Sequence, residues 1–212
     1  MGNHRIKYTA RDGWDGTPSL ITIDLGVAPR FESFTMAAES SLSIVITPGR
    51  DYRTSSRDAW FEYSFEMRGL ADDSALYRQI VGFLSEADAG VTFEFAYDDA
   101  KTYSSTLSAG ENETRTLMNV TLTPAGVVAV GDWMILQAAW RRAVFTMQKV
   151  TVVAASSLSF EDELGWFMDA GSTVRHRGFV PMATLLAHRL RRRRGGQGVG
   201  LSDLTLTFRE IV

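Results

Sequence analysis

The sequence predicts a mainly β protein: an antiparallel β-sandwich with one flanking α-helix over about residues 73–88, a small β-rich, barrel-like insertion, and a C-terminal strand that returns to the first sheet. Three observations predict it. Most of the chain alternates apolar and polar residues with period two, one stretch switches to the helical period, and the alternation resumes in the closing LSDLTLTFREIV.

The alternation is visible first in SLITIDLG, where Ile21, Ile23 and Leu25 share a face opposite Thr22 and Asp24. SLSIVITPG, Ser41 to Gly49, reads as a further strand closed by a Pro-Gly turn. WFEYSFEMRG is the clearest case. Phe61, Tyr63, Phe65 and Met67 make one apolar face, while Glu62, Ser64, Glu66 and Arg68 point away, as in an antiparallel sheet with one wet side. The period then changes. ADDSALYRQIVGFLSEADAG carries Leu76, Ile80, Leu84 and Ala87 at helical spacing, widened by Tyr77 and Val81, with Asp72, Asp73 and Ser74 as candidate caps and Gly90 as a stop.

Strand alternation resumes in VTFEFAY, and DDAKTYSSTL reads as a turn with its return strand, followed by another strand in TRTLMNVTLTP. VVAVGDWMILQ and AVFTMQKVTVVAA are β-rich, with a turn at Gly131-Asp132 leading into a strand from Trp133 to Gln137. EDELGWFMDAGSTVRHRGFVPM fits neither period and reads as loop with short strands. PMATLLAHRLRRRR can form a helix opening at Pro181, or a strand and loop. These elements divide the chain into a sandwich domain over residues 1–123, completed by strand 201–212, and an inserted domain over 124–200 that ends in an Arg/Gly-rich loop.

Composition narrows the function classes. At 212 residues and 45% apolar the chain can build a sizeable core. With no cysteine, disulfides, thiolate metal sites and thiol catalysis are excluded. The opening MGNHRIKYTARDG lacks the apolar core of a signal peptide, and no run approaches the roughly 18 apolar residues of a membrane span. We therefore expect a protein made in a reducing cytoplasm, with no membrane partner.

HRLRRRRGGQG concentrates positive charge. Arg189, Arg191, Arg192, Arg193 and Arg194 are five of the 22 basic residues, so the rest carries 17 against 25 acidic, about −8 rather than the net −3 of the whole. A body of that sign would not wrap a polyanion. The five arginines are the candidate partner contact, and the bland alternative is a solvated loop. GGQGVG lacks the lysine and Ser/Thr of a phosphate loop and reads as a connector.

Enzyme templates fail on particular residues. His4, His176 and His188 are far apart, and the Arg175-His176-Arg177 setting disfavours a cation. No Gly-x-Ser-x-Gly elbow occurs. Asp98-Asp99 and Glu161-Asp162-Glu163 offer carboxylates, but surface turns are rich in these too. Trp60 and Trp133 sit in strands, where burial is commoner than a sugar platform. We expect no enzyme, cofactor or metal.

The order strand, amphipathic helix, aromatic strand, Asp-Asp turn, strand in FEYSFEMRGLADDSALYRQIVGFLSEADAGVTFEFAYDDAKTYSSTL resembles the ring-forming domain of distal tail proteins of long-tailed, siphovirus-type bacteriophages and the related tail-tube subunits. VVAVGDWMILQ with AVFTMQKVTVVAA looks like the small barrel inserted before the last strand in some of them, and LSDLTLTFREIV like the returning strand. The resemblance implies a structural protein of the virion tail that forms a ring, usually a hexamer, joining the tail tube to the baseplate or tip. The partners it implies are further copies of the chain, the tail tube protein, the hub or tip proteins and the tape measure protein. The alternatives are a tail-tube subunit, or a β-rich adaptor holding nucleic acid on Arg189–Arg194. The family pattern contains no arginine run, so that run takes no role by carry-over; in a ring it would dock on an acidic neighbouring subunit, face a central channel through which DNA passes, or stay a solvated loop.

Overall fold

A computed structural model describes residues 3–11, 18–26, 31–46, 52–110, 116–117, 120, 127–139, 145–163, 168–194 and 200–211 of the protein, with the backbone alone at 31–46, 52–60, 116–117 and Arg194. The elements run β1 (His4–Ala10), β2 (Ser19–Gly26), β3 (Phe31–Ile46), β4 (Tyr52–Ala71), α1 (Ala75–Asp88), β5 (Phe93–Ala96), β6 (Ser104–Thr106), β7 (Thr116–Leu117), β8 (Trp133–Gln137), β9 (Phe145–Val153), β10 (Leu158–Phe160), β11 (Thr173–His176), β12 (Phe179–Arg194) and β13 (Gly200–Glu210). The protein is thus mainly β, with antiparallel sheets, one helix among the described residues, and a late strand that rejoins the first sheet.

Seven strands form the first sheet, in the order β2-β1-β5-β12-β13-β4-β3. It curls. β4 and β5 are three strand intervals apart, about 14 Å in a flat sheet, yet the rings of Phe65 and Phe95 meet edge to face with centroids 5.2 Å apart. Phe208 of β13 lies between them, 4.9 Å from Phe95 and stacked on Tyr63 at 5.4 Å. The concave face is therefore an aromatic core, which Phe61, Tyr63, Phe65, Phe95 and Phe208 build from alternate positions of their strands.

Helix α1 closes that face. Ser74 is its N-cap, with the hydroxyl accepting the Tyr77 N–H at 3.1 Å. Its buried stripe is Ile80, Phe83, Leu84 and Ala87, and Phe83 meets Tyr8 and Phe93. Val81, expected in the stripe, is exposed: one residue beyond Ile80 is a rotation of about 100°, whereas Phe83 at i+3 returns to the same face. At Gly69, φ is +70°, and the β4–β13 register shifts there between Ser202 and Leu204. Glycine permits this bulge, which breaks the alternation of β4 after Met67.

The second sheet has the order β6-β11-β8-β9-β10-β7, antiparallel throughout. Tyr103 and Leu107, flanking one end strand, share one core cluster with Val120 and Leu158 beside the other. Met134, Leu136, Val150, Phe160 and Val174 fill it.

Several expectations are corrected. PMATLLAHRLRRRR is not a helix but part of β12. Its Ala, Leu, Met and Arg favour helix locally, but β13 needs a partner for its second edge and β12 provides it from Ala183 to Arg194. The arginines accordingly lie on a paired strand and not in a loop. DDAKTYSSTL does not fold back on β5; β6 pairs with β11 in the other sheet. The compact units also differ from the expected domains: one is Met1–Ala37, Phe61–Ala100 and Val180–Val212, the other Ala38–Trp60 and Lys101–Phe179. Residues 180–200 thus join the first unit, and 38–60 and 101–123 the second. The GGQGVG connector lies outside the described residues up to Gly200, as does most of TRTLMNVTLTP.

Candidate interaction surface

Alternation in three neighbouring strands builds this surface. β13 turns Ser202, Leu204, Leu206 and Phe208 into the core, leaving Leu201, Asp203 and Thr205 on the outer face. Register carries the pattern across to β12, where Arg189 stands opposite Thr205, Arg191 opposite Asp203 and Arg193 opposite Leu201. These three arginines therefore share the outer face, spaced about 6.8 Å apart along the strand. Glu66 of β4, opposite Thr205 on the other side, and Arg68 complete a shallow groove. Arg192 is opposite Ser202 and turns the other way. Of Arg194 the backbone is described, paired with Gly200.

The arginines divide into two kinds. Arg192 Nε lies 2.5 Å from Asp72 Oδ2 and Arg193 Nε 2.5 Å from Asp203 Oδ2, against carboxylates only 14% and 15% exposed. Arg189 and Arg191 are exposed and have no ion-pair partner among the described residues. Asp72 is itself anchored: its Oδ1 accepts the Ser202 hydroxyl at 2.6 Å, and its N–H donates to the Gly200 carbonyl at 3.0 Å. Asp203 Oδ1 accepts the Gly69 N–H at 3.3 Å. Further along β12, His188 Nε2 lies 3.0 Å from Asp88 Oδ2 at the end of α1. The strand is thereby tied to the helix near both its ends.

In the second unit, polar groups cluster around Asp132. Its Oδ2 accepts the Ala129 N–H at 2.8 Å, Lys101 Nζ pairs with Oδ1, and His176 Nε2 stands 3.6 Å from Oδ2. Burial pushes this carboxyl up, but the Lys101 and Ala129 hydrogen bonds, with the charges of His176 and Lys101, outweigh it and hold it below the ordinary value. Gly131, at φ +92°, makes the turn that delivers Asp132 into this cage. The arrangement clamps a turn: the carboxylate's oxygens are already taken by N–H and ammonium donors. Nearby, Arg175 is buried and donates to the Phe179 carbonyl at 2.8 Å.

The other candidate residues fall into structural places. His4 Nδ1 donates to the Tyr97 carbonyl and its ring packs on Tyr97 and Phe65. Asp98 accepts the Ala100 N–H and Asp99 the Asn3 N–H, both holding turns. Glu161, Asp162 and Glu163 form an exposed acidic turn. Trp133 is 44% exposed, diagonal to exposed Met147 on the outer face of β8 and β9. Trp60 contributes backbone to β4. Among the described residues no group of three or more His, Asp or Glu side chains is placed to hold a metal ion.

Sequence reasoning missed Asp72 and Asp203 as arginine partners. Asp72 was legible only as one of three candidate caps, and Asp203 only as a polar position of a strand. No local signal links either to residues more than a hundred positions away, or the same strand's partner across a hairpin. Compared with protein-family models and with curated protein sequences, the chain matches none.

Proposed function

We propose that the protein is a non-enzymatic structural component of a bacteriophage tail, a subunit that closes into a ring at the junction between the tail tube and the baseplate or tip. The observation that carries the oligomeric reading is the edge of the first sheet. β3 is 16 residues long and has one strand neighbour among the described residues. Its sequence FESFTMAAESSLSIVI contains no Lys or Pro and only two charged residues, Glu32 and Glu39, to guard the edge. Such an edge favours pairing with another copy.

The tail assignment rests on the resemblance of the strand, helix, aromatic strand order, and is supported by the way β13 rejoins β4 after the intervening unit. The exposed Trp133 and Met147 add apolar area for a contact between copies. The adaptor reading is less favoured, because Arg192 and Arg193 already have aspartate partners and Glu66 and Asp203 lie within the same groove.

Light scattering of the purified protein, followed by negative-stain imaging, tests the proposal. Closed rings of about six copies with an open centre are expected from heterologous contacts that close under rotation. A monomer at every concentration would overturn the ring.

A further inference from the structure

We propose that the outer face of β12 at Arg189 and Arg191 receives an acidic segment of a second copy, the exposed turn Glu161-Asp162-Glu163. The inference rests on the ring reading and names the contact that holds neighbouring copies. Four arguments carry it.

The arginine run divides by partner. Arg192 and Arg193 are held within the chain by Asp72 and Asp203, whereas Arg189 and Arg191 point outward, exposed, with no ion-pair partner among the described residues. A guanidinium forms paired hydrogen bonds with a carboxylate, and two of them about 6.8 Å apart match carboxylates on a short acidic turn.

The face is wrong for a polyanion and right for a few carboxylates. Glu66 and Asp203 line the same groove, so a phosphate backbone running along it would meet negative charge beside each cation. A turn with three acidic side chains is short enough to need only Arg189 and Arg191, two positions apart on one strand.

The chain supplies the complement. Glu161, Asp162 and Glu163 are consecutive and all exposed, and Glu161 lies 3.8 Å from Lys149 in a loose pair whose side chains are 60% and 44% exposed. Outside the arginine run the charge is about −8, so a second copy is drawn toward this face and not repelled by it.

Like charges bear on the mode of contact as well. Arginine face against arginine face sets cation beside cation, whereas arginine face against acidic turn sets each cation beside a carboxylate.

A charge swap tests this. One variant carries R189E and R191E; the other carries E161R, D162R and E163R. All five positions are exposed, so circular dichroism and thermal melting should show both variants folded as the wild type. By sedimentation velocity each variant alone should self-associate at least about ten-fold more weakly, as two or three weak charged contacts turned repulsive require. Mixed in equal amounts they should assemble again, because each acidic face then meets a basic turn and each basic face an acidic one. Wild-type assembly that survives in both variants overturns the arginine contact and leaves the ring standing. A wild type that never associates overturns both. A short DNA duplex retarded by the wild type but not by R189E/R191E, with self-association unchanged, overturns the second copy in favour of nucleic acid.

Discussion

Arg192 Nε and Asp72 Oδ2 stand 2.5 Å apart, which joins the arginine strand to the turn ahead of α1. Arg192 itself is 76% exposed, so its own share is small. We expect R192A to cost about 0.5–1 kcal/mol, and D72A about 1–3 kcal/mol, since it also strands the Ser202 hydroxyl. A double-mutant cycle by urea denaturation should give a coupling of about 0.5 kcal/mol or more; zero coupling would mean the pair is incidental.

Gly200 should resist any side chain. A Cβ there would lie 2.3 Å from Asp72 Oδ2 and 3.0 Å from its Cγ. That carboxylate is held by both Ser202 and Arg192, so it cannot simply swing aside. G200A should lower stability by about 1–3 kcal/mol, the range for forced overpacking, measured as a shift in the urea midpoint. In the D72A background the same substitution should be nearly neutral.

Phe208 touches Tyr63, Phe93 and Phe95, rings from three directions in the curled sheet. F208A should cost about 3–5 kcal/mol and F208L clearly less. Because Phe208 bridges strands that are not neighbours, near-UV circular dichroism of F208A should weaken even where far-UV signal persists. A cost below about 1 kcal/mol would mean the core repacks freely.

Asp132 gives the second unit an acid limit. Its carboxyl is held below the ordinary 3.8, so its contribution is complete above that value and is lost as pH falls through the lower folded value. Thermal melts between about pH 7 and pH 3 should show stability falling at the acid end. D132N should be destabilised by about 1–3 kcal/mol at neutral pH, where Lys101 loses its partner, with the difference from wild type shrinking below about pH 4. An unchanged difference across that range would exclude Asp132 as the titrating group.

What the sequence made legible was local. The alternation of β4 and β13 named their buried faces residue by residue, and Ser74 with Ile80, Leu84 and Ala87 located α1. β1 offers only Ile6 and Tyr8 as apolar inward residues, because its third, His4, is polar, although Tyr97 and Phe65 bury it. β12 reads equally as helix or as strand and loop, because helix propensity is intrinsic to a segment, while the partner β13 that decides for strand is supplied by the fold. The arginine cluster stood out by composition, but its division did not: Arg192 depends on Asp72, which in turn binds Ser202, 130 positions away. Contacts of that range leave no trace in periodicity.

The return of β13 sets an order on the making of the molecule. Asp203 binds the Gly69 N–H across 134 residues, and at about 5–20 residues per second the ribosome needs on the order of ten seconds to cover that distance. Until then β4 has emerged without the strand that will flank it, and Phe65 without Phe208. Lys101–Phe179, in contrast, is synthesised as one continuous run. The nascent chain must therefore carry an unfinished aromatic surface through most of its synthesis, which makes the first sheet the slow and aggregation-exposed step of folding and a natural client for chaperones.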